Sequence, residues 1–111
     1  MAAPVSKSYN YAKRLGFKVE SATVMVGEHA KRELFGLFNL IGIHPHRGLT
    51  LAVLSVSIPD VPTACQQVLE SRWTNFALSA RWMIEVHGWD KGILEPRIVR
   101  FGMIKGKPAM V

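Results

Sequence analysis

One cysteine, Cys65, stands in the 111 residues of this chain, so no intrachain disulfide is possible. A small fold stapled by disulfides is excluded, and stability must come from a packed core. A lone thiol among apolar neighbours reads as a small buried hydrophobe. The low cysteine content points to an intracellular, reducing compartment, the cytoplasm or an organelle matrix. Acidic residues are also few: eight, against fourteen Lys and Arg, for a formal net charge of +6. Long apolar runs are missing too. A spanning helix needs about 20 apolar residues, whereas the segments 34–43 and 49–58 reach ten each. Joined, they would place His44, Pro45, His46 and Arg47 near mid-bilayer, where charge and a helix breaker are both unfavourable. No transmembrane span is expected.

Complete chemical motifs are absent as well. There is no Gly-x-Ser-x-Gly elbow and no paired-carboxylate pattern, and Glu70, Glu85, Asp90 and Glu95 are scattered as on a solvated face. "GEHAKRELFG" has glycines at its ends but lacks the Gly-Lys-Ser/Thr core of a phosphate loop. The expectation is a protein that is not an enzyme, with no cofactor and no small-molecule substrate. His44 and His46 share a face if the backbone is extended, a spacing open to zinc or copper. A structural metal site needs four ligands and a catalytic one usually three. His29, His87, Cys65 and Asp90 are the further candidates, and none has motif spacing, so no metal site is assigned. "IGIHPHRGLT" reads instead as a surface connection between two core elements.

What is present is a core. Hydrophobic residues make up 49% of the chain and mean hydropathy is +0.14, too apolar for disorder. The length fits one domain, residues 1–111, divided into a basic N-terminal segment 1–16, a core 17–104 and a C-terminal turn and return segment 105–111. The N-terminus is basic, Ser-containing and free of acid before Glu20, but it has one arginine among its first 20 residues and no apolar signal core. It carries only part of a transit signature and is expected to stay uncleaved.

"SYNYAKRLG" predicts a short helix ending at Gly16. "FKVESATVMV" predicts a strand by its β-branched content. From Glu28, the apolar positions Ala30, Leu34, Phe35, Leu37, Phe38 and Ile41 predict a helix ending at Gly42. "LTLAVLSVSI", apolar on both faces, predicts a central strand. A helical series runs from Val61, with Pro62 in its first turn, to about His87, as one helix or as two meeting near Ser71. "PRIVRFGMIKGKPAMV" closes the chain as a β-hairpin. The fold class is α+β, a two-layer α/β sandwich with a small sheet covered by two main helices; crossovers would make the first strand pairs parallel.

"RWTNFALSARWMIEVHGW" is the most distinctive stretch. As a helix it would carry Trp73, Phe76, Ala77, Ala80 and Ile84 on one stripe, and Leu78, Trp82, Val86 and Trp89 on another. Trp and Arg together are enriched at interface hot spots, so Trp73, Arg81, Trp82 and Trp89 are the candidate protein-interface residues. Charge is concentrated at the two ends. Residues 1–32 hold six basic and two acidic residues, 33–90 three and five, and 91–111 five and one. Lys13, Arg14, Lys18, Arg97, Arg100, Lys105 and Lys107 are therefore candidates for contact with phosphates of nucleic acid or an anionic membrane surface. The composition favours a small basic accessory subunit of a larger assembly, with other protein subunits as partners. The alternatives are a factor binding nucleic acid or host machinery, ribosome-associated or phage-type, and a small basic hydrolase or nuclease.

Overall fold

The computed structural model describes residues 3–27 and 30–111. Helix α1 (Pro4–Arg14) is followed by strand β1 (Lys18–Ser21), the short strands β2 (Thr23–Met25) and β3 (Lys31–Glu33), and a β4–β5 hairpin (Leu40–His44, Leu49–Ser57). A 3-10 turn, Ile58–Asp60, leads into helices α2 (Val61–Glu70) and α3 (Arg72–Ser79), then strands β6 (Met83–Trp89), β7 (Arg97–Ile104) and β8 (Lys107–Met110). The main sheet has the order β1-β4-β5-β6-β7-β8, and β2 pairs with β3 as a separate ribbon. The fold is α+β. Two helices, α2 and α3, lie over one face of the sheet, α1 packs on the other, and the expected C-terminal hairpin forms.

β5 is the central strand, and its two apolar faces serve two packing layers. Ala52 and Leu54 face Val61, Ala64, Cys65 and Val68 of α2 and Ala77 of α3. Leu51 and Val53 face Ala12 of α1, with Phe17, Val19 and Leu40. Fully burying a side chain such as Val53 or Ile84 stabilises by about 2 kcal/mol. Burial pushes the Cys65 thiol up, with the Arg97 charge opposing in part. β5 and β6 are parallel, joined through α2 and α3, and every other pair in the main sheet is antiparallel. The first pairs are thus hairpin-like and not parallel as expected, because β4 and β5 are joined by a four-residue turn and no crossover.

Three predicted elements are replaced. The helix expected over 28–42 does not form. Lys31–Glu33 pairs with Thr23–Met25, the chain turns at Phe35 and Gly36, and Leu40–His44 enters the sheet. Short apolar runs fit period 2 as well as 3.6, and here Leu40 and His44 point inward while Ile43 is exposed. Gly42 is no helix cap: a Cβ there would stand 2.9 Å from a Val19 methyl and 3.4 Å from the Phe17 Cβ, so β1 packs against bare backbone. The strand expected over 17–26 breaks at Ala22, its halves joining different sheets. Glu28 and His29 lie outside the described residues.

The helical series from Val61 takes its two-helix form, with α2 and α3 meeting at Ser71 as expected, but it ends at Ser79 and does not reach His87. Ser71 is extended, its Oγ accepting from the Trp73 N–H, while buried Thr74 Oγ1 donates to the Val68 carbonyl at 2.6 Å. After Ser79, Arg81 adopts φ 67° and reverses the chain, and "MIEVHGW" becomes β6. Its residues alternate between faces, Ile84 and Val86 toward α2 and α3, Glu85, His87 and Trp89 toward α1.

Candidate functional site

Three places gather chemistry: a buried polar chain beneath α1, an aromatic surface on α3, and one cationic end of the sheet. The buried chain begins where Ser55 Oγ donates to the Pro4 carbonyl at 2.8 Å. That spends its proton, so in the 2.7 Å contact between Ser55 and Ser8 it is Ser8 that donates. Ser8 Oγ accepts from Trp89 Nε1 at 2.8 Å. Its second acceptor position faces His87 Nδ1 at 2.9 Å, so Nδ1 must carry a proton and donate. His87 Nε2 meets Glu85 Oε1 at 2.8 Å, and Arg100 Nε donates to Glu85 Oε2 at 2.9 Å. Ser8 and His87 are fully buried and Glu85 nearly so, and among the described residues no buried side-chain polar atom lacks a partner. Burial alone would raise the Glu85 carboxyl, but hydrogen bonds from His87 and Arg100, and the attraction of both groups, outweigh it and hold it below its ordinary value.

Ser, His and Glu in a row resemble a hydrolytic triad only in composition. A nucleophile must give its proton to the histidine and face a substrate. Ser8 gives its proton to Ser55, accepts two hydrogen bonds, and has no exposed surface. The chain's outlet is Arg100, whose side chain is 62% exposed.

On the opposite face, Phe35 stacks on Trp73 with ring centroids 4.5 Å apart and planes within 9°. Phe76 meets Trp73 edge-on at 5.6 Å, Trp82 lies 6.1 Å from Phe35, and the Arg72 guanidinium sits 5.3 Å above the Trp73 ring. Phe76 is 59% exposed and Phe35 37%. A cavity of about 160 Å³ lies among Phe35, Trp73, Phe76 and Trp82, and a wider groove of about 750 Å³ runs from Phe35 and Trp73 along Val24, Val26 and Arg32 of the β2–β3 ribbon. Phe35 holds φ 57° to reach its stack, a conformation that costs a bulky residue about 1 kcal/mol or more.

The interface candidates therefore separate. Trp73 is on α3 and Trp82 just beyond it, both in this surface. Arg81 is exposed in the adjoining reversal. Trp89 is 4% exposed on β6 and belongs to the buried chain. Phe35, the centre of the surface, was missed because its segment reads as a helix.

The phosphate candidates also divide. Register places Lys18 beside Ile43, His44 beside Leu49, Leu51 beside Met83, and Ile104 beside Lys107. Lys13 and Arg14 end α1 beside this edge, and Arg47, Arg81, Lys105 and Lys107 lie in the segments that close it. Those segments, 13–18, 43–50, 79–83 and 102–108, contain no acidic residue. Six strands at about 4.8 Å make this end roughly 24 Å wide. Arg97, paired with Gly88, lies at the far end, and Arg100 is held at mid-strand by Glu85.

His44 is buried against Phe17, edge-on at 5.3 Å, and its Nδ1 accepts the Arg47 N–H. His46 is exposed, with its ring 6.2 Å away. Among the described residues no group of three or more His, Cys, Asp or Glu is placed to hold a metal ion. No helix of the described residues is long and apolar enough to cross a membrane. Compared with protein-family models, curated proteins and solved structures, the chain gives no significant match.

Proposed function

We propose that this chain is a non-catalytic, basic accessory subunit that docks on another protein through the Phe35–Trp73–Phe76–Trp82 surface and turns its cationic end toward phosphate groups. The observation that carries the reading is the stacked, partly exposed aromatic cluster. Aromatic rings flanked by Arg32 and Arg72 have the composition of an interface centre with a polar rim. A strained backbone at Phe35 that serves an exposed ring, and not the core, is easier to account for by binding than by folding. The sealed hydroxyl of Ser8 supports a role without nucleophilic chemistry.

The test is co-purification of tagged chain at moderate salt, with variants. Wild type should elute with a stoichiometric protein partner. Phe35→Gly, which relieves the left-handed backbone while removing the ring, should fold at least as stably and lose that partner. Arg97→Gln, at the distant end, should keep it. Recovery of wild type as a clean monomer would sink the reading, and so would a partner retained by Phe35→Gly.

A further inference from the structure

A second cavity, of about 410 Å³, opens on the α1 side of the sheet, away from the aromatic surface. Its walls are apolar: Leu15 of the segment after α1, Leu49 and Leu51 of β5, and Met83 of β6. Three hydrogen-bonding side chains reach it from separate elements, Tyr11, Arg47 and Arg100, together with the Glu85 carboxylate. Among the described residues, neither the Tyr11 hydroxyl nor the Arg47 guanidinium has a side-chain or backbone partner within the fold. Arg100 binds Glu85 through Nε, with its side chain largely exposed, which leaves its terminal nitrogens free to donate to a ligand.

This corner is built and not incidental. Glu85 orients Arg100, His87 orients Glu85, and Ser8, itself held by Ser55 and Trp89, fixes His87 in turn. Tyr11 packs edge-on against the His87 ring at 5.7 Å and against Trp89 at 6.3 Å, so its position is set by the same chain. Surface groups held by a buried shell of hydrogen bonds are the anatomy of a preorganised binding site. A buried polar chain in a domain this small is costly unless every member is satisfied, and here every member is.

We infer that the cavity between α1, the β4–β5 turn and β6–β7 binds a small hydrophobic carboxylic acid, its apolar body on Leu15, Leu51 and Met83 and its carboxylate between Arg47 and Arg100. Guanidinium forks match a carboxylate in bidentate geometry. Two arginines and one glutamate leave the lining with one net positive charge, which suits a monoanion better than a doubly charged phosphate. At roughly 30 Å³ per water-sized group, the volume holds about a dozen heavy atoms. This site does not depend on the docking reading, since it lies on the opposite face.

Sodium decanoate, decan-1-ol and the whole chain make the test, read by isothermal titration and by backbone amide shifts. Decanoate should bind one to one, with shifts at Leu15, Leu51 and Met83, and decanol about ten-fold or more weaker. Arg47→Gln, in an exposed turn, should weaken decanoate about ten-fold with the melting temperature unchanged. Leu15→Asp, a second exposed substitution, should abolish binding by setting a negative charge at the mouth. Arg97→Gln should bind as wild type. Non-saturable decanoate binding would overturn the inference, as would equal binding of decanol, indifference to Arg47→Gln, or shifts centred on Phe35 and Trp73.

Discussion

At the scale of single residues, the decisive group is Ser8. One hydroxyl donates to Ser55 and accepts from Trp89 and His87, tying the first helix to two strands more than forty residues away. Ser8→Ala would strand two buried N–H donors, each costing about 1–3 kcal/mol. We expect a loss near 3 kcal/mol in urea unfolding at pH 7, and a loss under 1 kcal/mol would contradict the hydrogen-bond directions given above. Glu85 gives a second prediction. Its folded-state carboxyl titrates below the unfolded value of about 4.3. The stabilisation is therefore fully present above that pH and is lost as pH falls through the lower, folded value. Glu85→Gln should lower stability by about 2 kcal/mol at pH 7. The gap between variant and wild type should shrink as unfolding is repeated from pH 4.5 down to pH 3. A gap independent of pH would show that the charge of Glu85 contributes nothing.

At the scale of elements, the parallel pairing of β5 with β6 depends on how closely the connection after β5 lies on the sheet. A Cβ at Gly88 would fall 2.5 Å from a Val61 methyl and 3.3 Å from Ile58 Cγ1. Gly88→Ala should therefore push the start of α2 off the sheet and cost about 1–3 kcal/mol, measured as a lower urea midpoint. Gly88→Ala combined with Val61→Ala should recover part of that loss, whereas independent effects would simply add. Segment 83–89 also shows how element type hid the site. Read at helical spacing, Glu85 and His87 fall on different faces. Read at period 2 they share one face with Trp89, and the polar chain becomes visible in "MIEVHGW".

At the scale of the whole molecule, charge is polarised along the strands. Lys13, Arg14, Lys18, Arg47, Arg81, Lys105 and Lys107 come from distant parts of the sequence and close one end of the sheet without an acidic neighbour in those segments. Charge reversal there should matter more than the same reversal elsewhere. Lys13→Glu with Lys105→Glu should elute from heparin at clearly lower salt than Lys91→Glu with Arg97→Glu, although both lower the formal charge of +6 by four. Equal elution would mean that net charge alone sets polyanion binding.

The sequence by itself determined the class of fold and several of its parts: the first helix, the central strand with two apolar faces, the helix start at Val61, and the terminal hairpin. These follow from local physics, since caps, turn residues and long periodic runs act over a few neighbours. It also determined that the ends are cationic. Only the tertiary structure decided that 31–44 is strand and turn, that Trp89 is buried, and that Phe35 crosses over to stack on Trp73. The same holds for the Ser8–His87–Glu85–Arg100 chain, whose members lie up to 92 positions apart between Ser8 and Arg100. Short apolar segments are compatible with either period, and pairing partners far along the chain choose between them by which groups they can bury and satisfy.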